Sequence, residues 1–238
     1  MSLRDILANA YHRTRFGIGL RKRIGKVQTA AQKFRAGTGY GGCVGSLIGM
    51  GPGSIVYSVG TGEDLSFDLA IIDRFGCAVH GFDPTPKAVA WVAKQSLPAQ
   101  FRFHALGMGS YDGTADFFLP ANPEHVSGSV VQRSGGGLER VPVQLRTLAT
   151  VMRQLGHRHV DMLKLDIEGA EYDVIDEICS TDATGDGVPV SQILVEFHQR
   201  FFVDGPQRTR HAIDRLNQRG FSVFDISAND VQYAFIKR

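Results

Sequence analysis

The 238-residue sequence has no apolar run near the roughly 18 residues that a membrane-spanning helix needs, and its charged N-terminus lacks the apolar stretch of a secretory signal. It has only three cysteines, Cys43, Cys77 and Cys179, which lie far apart and form no CxxC motif. A zinc ribbon, a thioredoxin-type site and a disulfide scaffold are therefore disfavoured. Hydrophobic residues make up 43% of the chain and charged residues 21%, so we expect a globular protein of the cytoplasm.

Charge is unevenly distributed along the chain. Residues 1–35 contain nine Lys or Arg and a single acidic residue, Asp5, whereas the whole chain carries only +2. Apolar residues at helical spacing near the start predict a basic helical arm, and eight glycines in residues 36–53 predict a linker after it. We therefore divide the chain into an arm with its linker, 1–53, and a main domain, 54–238.

The basic arm has three interpretations. It packs on the main domain or on a second subunit, or it makes a peripheral contact with an anionic membrane surface, as basic amphipathic segments do. Nucleic-acid binding is disfavoured because no set of aromatic side chains for base stacking accompanies the basic residues.

From residue 55 onward, short β-rich runs alternate with amphipathic helical segments, which predicts an α/β fold around a mostly parallel sheet. The last two strands are joined too tightly for a parallel crossover and are predicted to be antiparallel. The predicted strands are Ile55–Val59, Ala78–Phe82, Phe101–Ala105, Ala115–Leu119, Val141–Leu145, Val160–Leu165, Gln192–Glu196, Phe221–Ile226 and Gln232–Ile236. The predicted helices are Leu65–Phe75, Pro84–Lys94, Leu148–Leu155, Ala170–Cys179 and Gln207–Arg219.

Two glycines, Gly60 and Gly62, follow the first strand of this pattern. Glycines at a strand-to-helix turn let backbone N–H groups approach a ligand closely. Asp83 ends the second strand, 23 residues after Gly60, where a carboxylate can accept hydrogen bonds from both hydroxyls of a ribose. The pair favours a nucleoside-bearing cofactor, and a plain tight turn with a helix cap at Asp83 is the alternative.

Charged residues cluster at the carboxyl ends of two predicted strands, Val160–Leu165 and Gln192–Glu196. Lys164, Asp166 and Glu168 alternate along one face, as do Glu196 and His198 on the next strand. Because the two strands should be neighbours, we expect the three carboxylates and the imidazole to lie together. Such a cluster can hold a divalent metal or act in acid–base chemistry, and a hydrogen-bonded structural histidine is the alternative.

Other polar residues near these strand ends receive structural roles. Lys164 and Glu171 are assigned to an internal charge network, with Glu171 also placed at the N-terminus of a helix. His104, which ends the third strand, is interpreted as a hydrogen-bonded structural histidine.

Three runs resemble the FkbM family of S-adenosylmethionine-dependent methyltransferases. They are Met162–Glu171, with its Lys-x-Asp-x-Glu-Gly-Ala-Glu pattern, Ile193–His198 and Ala105–Gly107. The runs Tyr57–Asp64 and Gly81–Lys87 are similar to a methyltransferase-like branch of that family. The resemblance covers about residues 54–236.

The resemblance implies a class I methyltransferase (Rossmann-like) fold, with seven strands, the last of them antiparallel, and helices on both faces. It also implies methyl transfer from S-adenosylmethionine, usually to a hydroxyl of a sugar or natural product. Ser58 stands where many members have an acid, and we expect Glu63 or Asp64 to replace it. The cofactor contacts implied by position are Gly60, Gly62, Glu63, Asp83, Pro84, Leu106 and Asp166.

The predicted reaction is O-methylation of a small-molecule or glycan hydroxyl, with His198 as general base. Asp166, Glu168 and Glu196 would orient it, position the hydroxyl or bind a metal. A non-catalytic module that binds S-adenosylmethionine and an NAD-dependent oxidoreductase are the alternatives, and the missing third glycine of a dinucleotide fingerprint disfavours the latter. The Gly- and Ser-rich segment 112–140 is considered as a substrate lid.

Overall fold

The computed structural model describes residues 24–120, 128–132, 139–180 and 188–238. Within these ranges the helices are α1 Ser66–Phe75, α2 Pro86–Val92, α3 Leu148–Leu155, α4 Glu171–Ser180 and α5 Gly205–Gln218, with a short 3-10 helix at Gln199–Phe201. The strands are β1 Lys33–Ala36, β2 Cys43–Ser46, β3 Ile55–Val59, β4 Ala78–Phe82, β5 Phe101–His104, β6 Gly107–Met108, β7 Gly113–Phe118, β8 Arg140–Arg146, β9 Val160–Leu165, β10 Val190–Glu196, β11 Phe221–Ile226 and β12 Gln232–Lys237.

Seven strands form the main sheet, in the order β5-β4-β3-β9-β10-β12-β11. β12 runs antiparallel to both of its neighbours, and the other pairs are parallel. The central strands β3 and β9 are almost wholly buried because helices cover both faces of a parallel sheet. The class I methyltransferase fold that the sequence predicts is thus confirmed.

Successive side chains of the central strands β3 and β9 point to opposite faces of the sheet and so enter two separate cores. Tyr57 and Leu163 point into the first core, which α3, α4 and α5 cover. Val56 and Met162 point into the second core, against α1, α2 and the β1–β2 hairpin. Since the helices cover the faces of the sheet, its edge at the carboxyl ends of the parallel strands is where a ligand can approach.

The N-terminal hairpin corrects two predictions. Residues 33–35 are strand rather than helix, and residues 43–46 are strand rather than linker. Phe34 and Ala36 alternate with exposed basic residues, which is the two-residue period of a strand lying on a core. The alternation covers only four residues and lies beside basic residues and glycines, so the sequence pattern does not predict this strand.

The hairpin is joined to the main sheet by a reciprocal amide pair. The Ser46 N–H donates to Gln192 Oε1 at 2.9 Å, and Gln192 Nε2 donates back to the Ser46 carbonyl at 3.0 Å. Gln192 lies in β10 and is fully buried. Most of the predicted basic arm, with its predicted membrane contact, falls on residues 1–23, outside the described residues, and the domain boundary at residue 53 stays a prediction.

A second, three-stranded sheet has the order β6-β8-β7. β7 pairs with β8 along its whole length, and the two strands overlap the predicted strands 115–119 and 141–145. β7 and the first residue of β8 fall inside the segment considered as a substrate lid. Residues 128–132 return to the main domain, where Ser129 Oγ donates to the Glu168 carbonyl at 2.6 Å. None of the helices in the described ranges is both long and apolar enough to cross a membrane.

Candidate active site

The carboxyl ends of β3, β4, β9 and β10 surround one cavity of about 230 Å³. This is the edge of an open parallel sheet at which ligands bind. Its wall includes backbone of the glycine turn, apolar side chains and a group of charged residues, namely Glu63, Asp64, Asp83, Lys164, Asp166, Glu168, Glu196, His198 and Arg200.

The glycine turn after β3 lies against the end of β9. Gly60 has a φ of 82°, and a Cβ built on it would lie 1.8 Å from the Asp166 carbonyl oxygen. The Gly60 N–H also donates to the Phe82 carbonyl at 2.8 Å, which ties the turn to β4. Only glycine satisfies both the backbone conformation and this close approach. The turn therefore brings the ends of three strands to one point.

Asp83 joins the glycine turn to the start of α2. Its Oδ2 accepts from the Gly62 N–H and its Oδ1 from the Thr85 N–H, both at 2.8 Å. The residue is only 5% exposed, and burial raises the pKa of its carboxyl despite these hydrogen bonds. The predicted helix cap at Asp83 is not formed, because the N-cap residue of α2 is Thr85 and no side chain caps this helix. Asp83 binds the N–H of Thr85 and faces the cavity.

The two acids after the glycine turn have different partners. Glu63 lies 3.6 Å from Lys87. Asp64 accepts from the Thr38 hydroxyl at 2.9 Å and from the Ser66 N–H at 2.8 Å, so it anchors the turn of the β1–β2 hairpin. This anchoring places Tyr40, whose side chain is 74% exposed, at the wall of the cavity.

His198 lies at the centre of the charged group and is 1% exposed. Its Nδ1 is 2.7 Å from Glu171 Oε1. Its Nε2 faces Glu168 Oε2 at 3.4 Å, Asp166 Oδ1 at 3.8 Å and Glu196 Oε1 at 4.0 Å. Burial acts to lower the pKa of His198, but Glu171, Glu168 and Asp166 outweigh it and raise the pKa.

A buried lysine offsets part of the negative charge. Lys164 is 4% exposed and its Nζ lies 3.6 Å from Asp166 Oδ2. Burial disfavours the charged form of Lys164 and acts to lower its pKa. The negative charge of Asp166, together with those of Asp68 and Glu196, outweighs burial and raises the pKa of Lys164. The internal charge network predicted for Lys164 is present, and it fixes one oxygen of Asp166.

The structure brings nine of the ten predicted site residues to this cavity, namely Gly60, Gly62, Glu63, Asp83, Pro84, Asp166, Glu168, Glu196 and His198. Leu106 does not line it. Its side chain packs against the first core, and the two residues after it, Gly107 and Met108, line the cavity instead. The individual roles assigned to these residues stay predictions.

Several residues at or beside the site were not predicted for it, among them Tyr40, Glu171 and Ser129. Tyr40 falls in the predicted linker, Glu171 in the predicted charge network, and Ser129 in the segment considered as a substrate lid. Glu171 is fully buried and accepts from the Ile167 and Gly169 N–H groups as well as contacting His198. Its place three residues after Glu168, at the start of a helix, was the one available signal.

The strand order and a carboxylate- and histidine-lined cavity at the strand ends define a protein of the class I methyltransferase type. The FkbM methyltransferase domain model matches residues 48–223. The chain belongs to the FkbM methyltransferase family.

Individual relatives are distant. The human protein called "Probable methyltransferase-like protein 24" is 26% identical over 144 residues, which are 60% of this chain, and its rat counterpart is 24% identical. In both cases the matched region spans about a third, 32%, of the relative's length. Among solved structures, the Methanococcus jannaschii fibrillarin pre-rRNA processing protein is 9% identical, with a TM-score of 0.46 over 93% of this chain and 86% of that chain. The fold assignment rests on the strand order and the family match.

Proposed function

We propose that the protein is an S-adenosylmethionine-dependent O-methyltransferase that acts on a hydroxyl of a sugar, glycan or small natural product. The observation that carries this proposal is the single cavity that joins Asp83 and the glycine turn to the group around His198. One end offers contacts for a nucleoside, and the other offers groups that can take a proton.

The cofactor end fits S-adenosylmethionine. Each carboxylate oxygen of Asp83 has one backbone partner and therefore a further acceptor site for a ribose hydroxyl. Thr61 Oγ1 is buried there and has no hydrogen-bond partner among the described residues, as expected of a group that meets a ligand. Gly107 and Met108 offer a small and an apolar surface for the base, and we assign Glu63 to the methionine part.

The reaction requires alignment and removal of one proton. The cofactor supplies a methyl group on a sulfonium, which leaves as a neutral thioether when the oxygen–carbon bond forms. The protein holds the acceptor hydroxyl between Glu168 and Glu196 and removes its proton through the group around His198. Because Glu171 is buried behind the imidazole, the ring is held in one orientation toward the cavity.

The first test is a thermal-shift series on the full chain with S-adenosylmethionine, S-adenosylhomocysteine and NAD. A ligand at about 100 times its Kd adds roughly 2.7 kcal/mol of stability. For a chain of this length that is a shift of roughly 5–10 °C. Stabilisation by the two adenosyl ligands but not by NAD is expected. Stabilisation by NAD alone, or by none of the three, would contradict the proposal.

Turnover separates an enzyme from a binding module. Release of S-adenosylhomocysteine is measured with a panel of hydroxylated acceptors, and His198→Gln should lower it by about 10²–10⁴-fold while retaining the thermal shift. His211→Gln is the matched control, because His211 pairs with Asp176 at 3.5 Å on the surface, away from the cavity. Equal turnover in both variants would remove His198 from the reaction.

A further inference from the structure

We propose that Asp166, Glu196 and His198 form a binding site for one divalent transition-metal ion. Ion binding itself follows from the arrangement of these side chains. The chemical use of the ion rests on the proposed function.

The three side chains bring one possible ligand atom each into the same part of the cavity. One atom from each lies within 4.8 Å of the others. His198 Nε2 is 3.8 Å from Asp166 Oδ1 and 4.0 Å from Glu196 Oε1, both too long for a hydrogen bond. Two ligands that each lie about 2.1 Å from one ion are at most about 4.2 Å apart. Both separations from Nε2 lie within this limit, so one ion can contact the imidazole together with either carboxylate. A site with all three ligands requires the two carboxylate oxygens to lie within the same limit of each other.

Each of the three ligands is fixed by a second contact on its far side. Lys164 lies beside Asp166 Oδ2, and Gln232 Nε2 donates to Glu196 Oε2 at 3.0 Å, so that the other oxygen of each carboxylate faces the imidazole. Outer contacts of this kind orient metal ligands.

The contact behind His198 sets which ring nitrogen carries the proton. Glu171 Oε1, at 2.7 Å from Nδ1, accepts the Nδ1 hydrogen, because an ionised carboxylate can only accept. In the neutral ring Nε2 then presents a lone pair to the carboxylates of Asp166, Glu168 and Glu196. A carboxylate–histidine–metal arrangement has this geometry.

The donor set indicates the kind of ion. One imidazole and two carboxylates suit Mn²⁺, Fe²⁺ or Zn²⁺ better than Ca²⁺, which takes oxygen ligands only. Three protein ligands leave positions open for water or an acceptor hydroxyl, and the side chains of Asp166 and Glu196 are 28% and 22% exposed to the cavity.

An ion here gives the predicted general base a different role. A hydroxyl bound to a divalent ion loses its proton more readily. The O–H bond breaks with the proton passing to Glu168, the oxygen–methyl bond forms, and the methyl–sulfur bond breaks with its electron pair staying on sulfur. His198 is then a ligand of the ion, and Glu171 is a positioning residue behind it.

The test uses Mn²⁺ as the probe on the full chain, first freed of metal by a chelator. Electron paramagnetic resonance should show one bound Mn²⁺, with a spin-echo modulation from a directly bound nitrogen. In His198→Gln the nitrogen signal should disappear and the affinity should fall at least about tenfold, and Glu171→Gln should weaken binding about 10- to 100-fold. His211→Gln, which changes the surface pair with Asp176, should leave both readouts unchanged.

The nitrogen signal of the unmodified protein tests the site even where a variant does not fold. Failure to bind Mn²⁺, bound Mn²⁺ without nitrogen modulation, or equal affinity in His198→Gln and His211→Gln would each overturn the metal site. Stabilisation of the chelator-treated protein by S-adenosylhomocysteine tests the proposed function separately. If that shift is present and Mn²⁺ does not bind, the metal site fails and the methyltransferase proposal stands. If Mn²⁺ binds with nitrogen modulation and no adenosyl ligand stabilises the protein, the metal site stands and the methyltransferase proposal fails.

Discussion

Replacing Gly60 by alanine should damage both the stability and the site. The new Cβ would lie 1.8 Å from the Asp166 carbonyl oxygen, whereas real Cβ contacts essentially never fall below 3.0 Å, so the turn and the end of β9 must separate by more than 1 Å. Both are backbone and neither can rotate away. Overpacking of this kind costs about 1–3 kcal/mol, and alanine at a φ of 82° costs about 1–2 kcal/mol more.

The sum, about 2–5 kcal/mol, lowers the melting temperature by roughly 4–20 °C for a chain of this length. Gly76→Ala is the matched control, because Gly76 has a φ of 66° but a Cβ built on it would meet no described atom within 4 Å. Gly76→Ala should lower the free energy of unfolding only by the cost of the backbone conformation, about 1–2 kcal/mol. Thermal unfolding and S-adenosylhomocysteine binding are measured on both. Should Gly60→Ala lose no more stability than Gly76→Ala, and bind equally well, the close approach of the two strands would be refuted.

Three further predictions concern the cofactor, pH and the loop over the site. Asp83→Asn should weaken S-adenosylhomocysteine binding by about 10–100-fold in calorimetry, since a hydrogen bond to a charged group is worth about 1.5–3 kcal/mol, and unchanged affinity would exclude Asp83 from the cofactor site. In buried His80, burial and the neighbouring His104 lower the pKa from 6.5 to about 4, so the folded state resists protonation. The unfolding free energy should therefore fall, by at most about 3 kcal/mol, as the pH drops from 6.5 toward 4, and this loss should be smaller in His80→Asn. Ser129→Ala removes the hydrogen bond to the Glu168 carbonyl and also the one that Ser129 Oγ accepts from the Val131 N–H. It should speed amide exchange in residues 128–132 other than Val131 roughly fivefold, whereas an unchanged rate would show that the bond to Glu168 does not hold the loop.

Elements with local start and stop signals could be predicted from the sequence. α3 begins after Thr147, whose side chain accepts from the Thr150 N–H, and it ends at Gly156 in the left-handed conformation. Both signals stand in the sequence, and the predicted helix has the observed bounds. β9 also has its predicted bounds, Val160–Leu165, because its apolar residues stop at Leu165, just before Asp166.

The hairpin and part of the site depend on contacts between distant segments. Phe34 and Cys43 are buried only because α1 and the main sheet cover them. No local pattern within residues 33–46 indicates that these distant segments pack against the hairpin. The pairing of β9 with β10 made it possible to predict that Asp166 and His198 meet. The orientation of the imidazole could not be predicted, because it depends on where the side chain of Glu171 turns at the start of α4.

The position of β12 inside the sheet affects how the protein can be shortened for laboratory work. The family match ends at residue 223, but β12 lies between β10 and β11 and supplies Gln232, which holds a carboxylate of the site. A version trimmed to 48–223 would leave β10 with a long, apolar, unpaired edge, which invites aggregation. It would also remove the hairpin that Gln192 holds. The N–H groups of Gln28 and Thr29 also donate to the Val223 carbonyl of β11. Expression designs and domain swaps should therefore retain at least residues 24–237, since the limits of sequence similarity are not the limits of the folding unit.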